Sequence, residues 1–273
     1  MHDDDPDLDE LEAIYDALDA GCAEDALGLA RAAMGRGGAG DPVVRHLAGA
    51  ALLELDRAEE AIREFERAVA LDPEDGEFRA NLALAHYRNL DLPAADRESA
   101  RAVASAPDLP DALYVRGLVL ERREEWDAAD QLFVRANRMD PDVFPRPVRI
   151  GDAEFRACVE SAADRLPARF RGPLGDVVVT IEPLPSEAVL RDEAPVLFDP
   201  ELLGLFVGVP LAERGDTRAS GELPPRILIF QRNLERQFPD KERLEEEIAR
   251  TLYHELGHYL GLDEEELAAI DLD

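Results

Sequence analysis

The sequence predicts a chain of two fold classes: an all-α array of paired helices, followed by a small α+β domain. Three observations lead there. Pro73, Pro107 and Pro141 recur every 34 residues, and small residues keep fixed distances from them. After residue 151 the helical grammar gives way to β-branched runs.

Each proline is preceded by the same kinds of residue at the same offsets. Twelve positions before it lie Ala61, Ala95 and Ala129, and five before it lie Ala68, Ala102 and Ala136. Twenty-four before it lie Gly49, Ala83 and Gly117, and eight before it lie Phe65, Ser99 and Phe133. This pattern describes two antiparallel helices per unit. Small residues let the helices approach closely and the aromatic fills the gap between pairs. Proline ends the second helix, because it has no amide donor and clashes with the preceding turn. Three clear units cover about 42–143. A degenerate unit precedes them at about 11–40, with Ala26 and Ala33 in the matching relation. The glycine-rich GRGGAG at 35–40 breaks its register. On these residues the region 7–143 resembles the tetratricopeptide repeat. The resemblance implies a superhelical stack with a concave groove that binds a protein or peptide. His46, His86 and Trp126 lie within the repeats and are expected to pack there or line the groove.

Residues 144–151, FPRPVRIG, hold two prolines and few helix formers, and read as a junction. The second domain then spans 152–273. Residues 152–166 read as an amphipathic helix, with Phe155, Val159, Ala162, Ala163 and Leu166 on one side. Three strands are expected, at 176–182 (DVVVTIE), 202–211 (LLGLFVGVPL) and 226–230 (RILIF). The polar stretch 212–225 reads as a loop. A long helix is expected over 240–260, with Asp240 as N-cap, acidic first turns and Gly261 closing it.

The chemistry concentrates on that last helix, in His254-Glu255-Leu256-Gly257-His258. Residues four apart share a helix face, so both imidazoles can present a ring nitrogen to one zinc ion. Glu255 follows the first histidine and is expected to act as general base. Leu244, Ile248, Leu252, Leu256 and Leu260 form a core stripe. The histidines lie two residues off it, about 200° away by helix geometry. A catalytic zinc takes a third protein ligand. The acidic run after Gly261 offers Asp263, Glu264 and Glu265.

From about Phe155 to the end, the chain resembles the bacterial zincin-like metallopeptidase family, sometimes called the minimal zincin fold. The resemblance rests on five segments. They are FRACVESAADRLP at 155–167, VVVTIEPLPS at 177–186, LLGLFVGVPL, LPPRILIFQRNL at 223–234 and EEIARTLYHELGHYLGLDEEEL at 246–267. It implies a HExxHxxGxxD pattern, carried here by His254, Glu255, His258, Gly261 and position 264. That position is glutamate rather than aspartate. Glu264 is thus the implied third ligand. Tyr253, Tyr259 and Arg226 are nearby candidates for stabilising an oxyanion.

The bulk numbers fit this reading. Lys and Arg number 30 against 61 Asp and Glu, a net charge of -31. Such a surface repels phosphate backbones and anionic lipid, so neither nucleic acid nor membrane is expected as partner. Cys22 and Cys158 match no metal-ligand spacing and are expected to stay reduced. The start, MHDDDPDLDE, lacks the basic and apolar regions of a secretory signal, so a cytoplasmic location is expected. Two functions remain open. One is a zinc-dependent metallopeptidase whose repeat array recruits a protein partner or substrate. The alternative is an interaction scaffold with an inactive or structural zincin domain.

Overall fold

The computed structural model describes residues 8–191, 198–213 and 224–269. Its contacts divide the chain into two units, Met1–Phe144 and Pro145–Asp273.

The first unit is a run of eight helices among the described residues: α1 (Leu8–Asp19), α2 (Ala23–Gly35), α3 (Pro42–Glu54), α4 (Ala58–Leu71), α5 (Gly76–Arg88), α6 (Leu92–Ser105), α7 (Pro110–Arg122) and α8 (Trp126–Met139). Each pair is joined by one turn type. Gly21, Asp56, Leu90 and Glu124 adopt left-handed backbone with φ of 70°, 55°, 56° and 60°. The next residue's amide then donates back to the first helix: Cys22 to Ala17 O, Arg57 to Leu52 O, Asp91 to His86 O and Glu125 to Leu120 O, at 2.8–3.0 Å. This is a Schellman closure, which satisfies carbonyls that a helix end leaves open. It recurs every 34 residues through the three clear units and appears in the first pair as well. The caps follow from sequence too. Asp41 accepts from the Val43 and Val44 amides, and Asp75 from those of Glu77 and Phe78.

Side-chain volumes within each pair complement one another. A methyl carbon at Gly49 would stand 2.6 Å from Phe65 Cε1, and one at Gly117 would collide with Phe133. The unit between carries Ala83 and Ser99 at the equivalent positions, where Arg116 donates to Ser99 Oγ at 3.2 Å. In the first pair the sizes are reversed: Ile14 and Ala30 are both fully buried. Large is set against small in either order, as close packing requires.

His46 is a packing residue. Its ring lies 5.7 Å from Phe65 and 4.9 Å from Phe78, edge-on to both. Asn81 Nδ2 sits 3.2 Å from its Nε2. Burial pushes its pKa down to about 4, against a smaller opposing pull from Asp75.

The second unit comprises α9 (Asp152–Arg165), α10 (Ala168–Leu174), β1 (Val178–Glu182), α11 (Glu187–Leu190), β2 (Gly204–Val207), β3 (Arg226–Phe230), α12 (Gln231–Gln237), α13 (Lys241–Leu260) and α14 (Glu264–Ala269). The sheet has the order β1-β3-β2. β1 runs parallel to β3, with Thr180 opposite Leu228, and β2 runs antiparallel to it, with Leu205 opposite Leu228. The core joins Phe155 and Val159 of α9, Ile227 and Ile229 of β3, and Leu244, Ile248, Leu252 and Leu256 of α13. The array and the small α+β domain are thus both present. The strand expected at 202–211 is shorter. Gly208 turns away at φ 142°, Pro210 has no amide to offer a ladder, and a 3-10 turn occupies Leu211–Glu213. Of the loop expected over 212–225, residues 214–223 lie outside the described residues. The short helices α10, α11 and α12 were not expected. Among the described residues, no helix is long and apolar enough to cross a membrane.

Two outcomes follow for the array. Gly49→Ala drives a methyl into the Phe65 ring and is expected to cost about 1–3 kcal/mol in urea unfolding. An unchanged midpoint would mean the ring yields freely. His46 generates a pH dependence. Below its ordinary pKa of 6.5 the unfolded chain takes up a proton that the folded ring refuses until about pH 4. Its contribution is therefore intact above pH 6.5 and lost as pH falls toward 4, by roughly 3 kcal/mol at most. Wild type should lose stability relative to His46→Leu between pH 6.5 and 4.5; parallel stability–pH curves would contradict this.

Candidate metal centre

The site is built on α13. Asp240 caps its start, accepting from the Arg243 amide at 2.8 Å. Leu244, Ile248, Leu252 and Leu256 are fully buried, and Leu260 packs against the same core. Gly261 ends the helix with φ 87°, and its amide donates to the His258 carbonyl at 3.0 Å. With one stripe pinned to the core, the helix cannot rotate. The residues off that stripe therefore have fixed directions.

His254 and His258 face each other one turn apart. Their Nε2 atoms are 3.0 Å apart and their ring planes stand at 87°. Both are half-buried, with 40% and 29% of the side chain exposed. Glu264 of α14 completes the cluster. Its Oε1 lies 3.7 Å from His254 Nε2 and 3.3 Å from His258 Nε2. One donor atom from each of the three falls within 4.8 Å of the others. Burial, followed by the charge on His258, lowers the His254 pKa, with Glu264 opposing.

These donors fit zinc. Ligands 2.0–2.1 Å from a tetrahedral centre stand about 3.3 Å from one another, close to all three observed separations. Two imidazoles and one carboxylate also form a donor set that zinc takes in catalytic sites.

Glu255 lies against β2. The residue is 7% exposed, and its Oε2 accepts the Phe206 amide of β2 at 2.7 Å. Burial raises its pKa to about 7, the Phe206 bond lowers it, and the Glu264 charge raises it. β2 approaches so closely because position 204 is glycine. A Cβ there would stand 2.6 Å from Thr251 Cγ2 and 3.0 Å from Glu255 Cγ.

The neighbouring candidates fall into place around this cluster. Asp263 and Glu266 bind one another's backbone amides, at 2.9 and 3.1 Å, in a capping box. Glu265 is exposed and outside the three-donor group. The Tyr253 and Tyr259 rings belong to the core, against Phe170 and Phe206. Arg226 is half-buried at the start of β3. Sequence reasoning missed the Phe206 amide and Gly204. The available signal was a glycine inside a strand-like run, which marks close approach of another backbone or side chain.

Residues 174–273 match the family model described as Zincin-like metallopeptidase. None of the curated proteins matches the chain. Solved structures resemble its helical region. One is YrrB, titled a TPR protein with an unusual peptide-binding site: 19% identical, covering 51% of this chain and 71% of that one, with a TM-score of 0.41. Another is MamA from Desulfovibrio magneticus RS-1, at 22% identity, 49% and 77% coverage and a TM-score of 0.41. A third is PilF from Pseudomonas aeruginosa, at 16% identity, 49% and 60% coverage and a TM-score of 0.44. The chain thus joins an array of paired helices to a C-terminal segment, residues 174–273, that matches the family model described as Zincin-like metallopeptidase.

Proposed function

We propose that the second unit hydrolyses peptide bonds with one zinc ion held by His254, His258 and Glu264. The helical array recruits a protein partner or the substrate itself. The observation that carries this reading is the set of three donor atoms within 4.8 Å, beside a buried carboxylate. Bound there, zinc would supply a Lewis acid for the scissile carbonyl and make water acidic enough to lose a proton near neutral pH.

The chain's own groups do the rest. Glu255 Oε2 is held by the Phe206 amide, so Oε1 is the atom that accepts a proton from the attacking water. The same oxygen returns it to the leaving amine. The Phe206 bond keeps the carboxylate from swinging between rotamers, which holds the base in place at no cost during the reaction. His254 and His258 bind through Nε2, where the two rings converge. In the array, Glu77 and Asp111 are exposed carboxyls whose pKa values are raised, first by partial desolvation, with Asp75 and Asp140 adding to the effect. That clustering of negative charge favours a cationic partner.

Purified chain should contain about one zinc and cleave members of a peptide library. Glu255→Gln should keep the metal and lose turnover by about 10²–10⁴-fold, the usual worth of a positioned base. His258→Ala should lose the metal as well. Undiminished cleavage by Glu255→Gln would remove the proposed base, and stoichiometric zinc without any turnover would favour the scaffold.

A further inference from the structure

We propose that Leu267, seated against Gly257, is the positioning residue that holds Glu264 on the histidine pair. The inference rests on the metal reading above and deepens it. Glu264 cannot hold its own place. Its side chain is 73% exposed, and α14 has six residues, too few for a helix to persist by local bonds alone.

Three devices fix α14 after α13 ends. Gly261 turns the chain, and the Leu262 amide donates to the Gly257 carbonyl at 3.0 Å. The Asp263–Glu266 capping box then starts the helix. Both act within the chain and leave the direction of α14 undetermined. The third device sets that direction. Leu267 is 8% exposed. A Cβ at Gly257 would collide with Leu267 Cδ2 and stand 3.3 Å from its Cγ. A glycine in a helix interior weakens the helix, and here its missing side chain is the seat for Leu267.

The register links this seat to the site. Gly257 immediately precedes His258 on α13. Leu267 follows Glu264 by three residues on α14, so both side chains lie on one side of that helix. Pinning Leu267 at Gly257 therefore swings Glu264 toward His254 and His258. The result is the 3.3 and 3.7 Å separations.

The test is zinc affinity by chelator competition on the full chain, with the Co(II) absorption spectrum as a second readout. Leu267→Ala and Gly257→Ala are each measured alone and combined with Glu264→Ala. Each alone should weaken zinc binding by about 10–100-fold, as losses of outer support do, and should shift the cobalt bands toward those of Glu264→Ala. In the Glu264→Ala background each should add less than about twofold, because residues that act through one group are not additive. Equal losses in both backgrounds would overturn the proposal, as would single variants that bind like wild type. Leu267→Ala leaves α13 unaltered and keeps the test decisive if Gly257→Ala fails to fold. A metal-free readout separates this inference from the reading beneath it. Hydrogen exchange of the amides of residues 264–267 should quicken in Leu267→Ala. Unchanged exchange overturns the seat, whereas wild type that holds no zinc overturns the metal reading.

Discussion

Everything at the site depends on the burial of one stripe of α13. Leu244, Ile248, Leu252 and Leu256 are excluded from solvent against β3 and α9. Each buried leucine contributes roughly 1.5–3 kcal/mol relative to exposure. The stripe therefore resists any rotation of the helix. Because side-chain direction follows helix rotation, the same burial aims His254 and His258 at a common point and turns Glu255 toward β2. A helix free to roll would scatter these three groups. The arrangement of these three groups is an indirect product of apolar packing.

The groups on α13 gain their partners from two different elements. From the sheet, β2 brings the Phe206 amide to Glu255, at a distance that only a residue without a Cβ at position 204 allows. From the chain end, α14 brings Glu264. In each case a glycine is the point of contact. The array obeys the same logic at larger scale, where Gly49 and Gly117 receive Phe65 and Phe133. Glycine serves both units through the space it leaves at Gly49, Gly117, Gly204 and Gly257, and through backbone freedom at Gly21, Gly37, Gly208 and Gly261, where φ is positive.

Much of this was legible in the sequence, for identifiable reasons. The 34-residue period survives because each pair needs the same small residues and the same turn. Even the αL positions at Asp56, Leu90 and Glu124 keep it without glycine. The stripe of α13 and its Asp240 and Gly261 ends were readable because 20 residues give ample periodicity and both caps use standard residues. Helices α10, α11 and α12 have seven, four and seven residues, which is too short for a 3.6-residue period to show. The strand at 202–211 read as longer than it is, since apolar residues continue past Gly208 after the ladder has ended. The resemblance already implied Glu264; the hydrogen bonds of the capping box, which spacing does not show, are what occupy Asp263.

Glu255 shows why the site could not be read from the helix alone. On α13 it is one residue among a crowd of carboxylates, between the two histidines in sequence. Its environment comes from elsewhere. The wall of β2 removes water from its carboxylate, and the Phe206 amide returns one hydrogen bond. Burial is the larger effect, so its pKa rises to about 7 despite that bond. An acidic chain has no shortage of glutamates, and most of them are solvated. What sets this one apart is that a neighbouring strand comes near enough to dry it, and that approach depends on the absence of a side chain at Gly204.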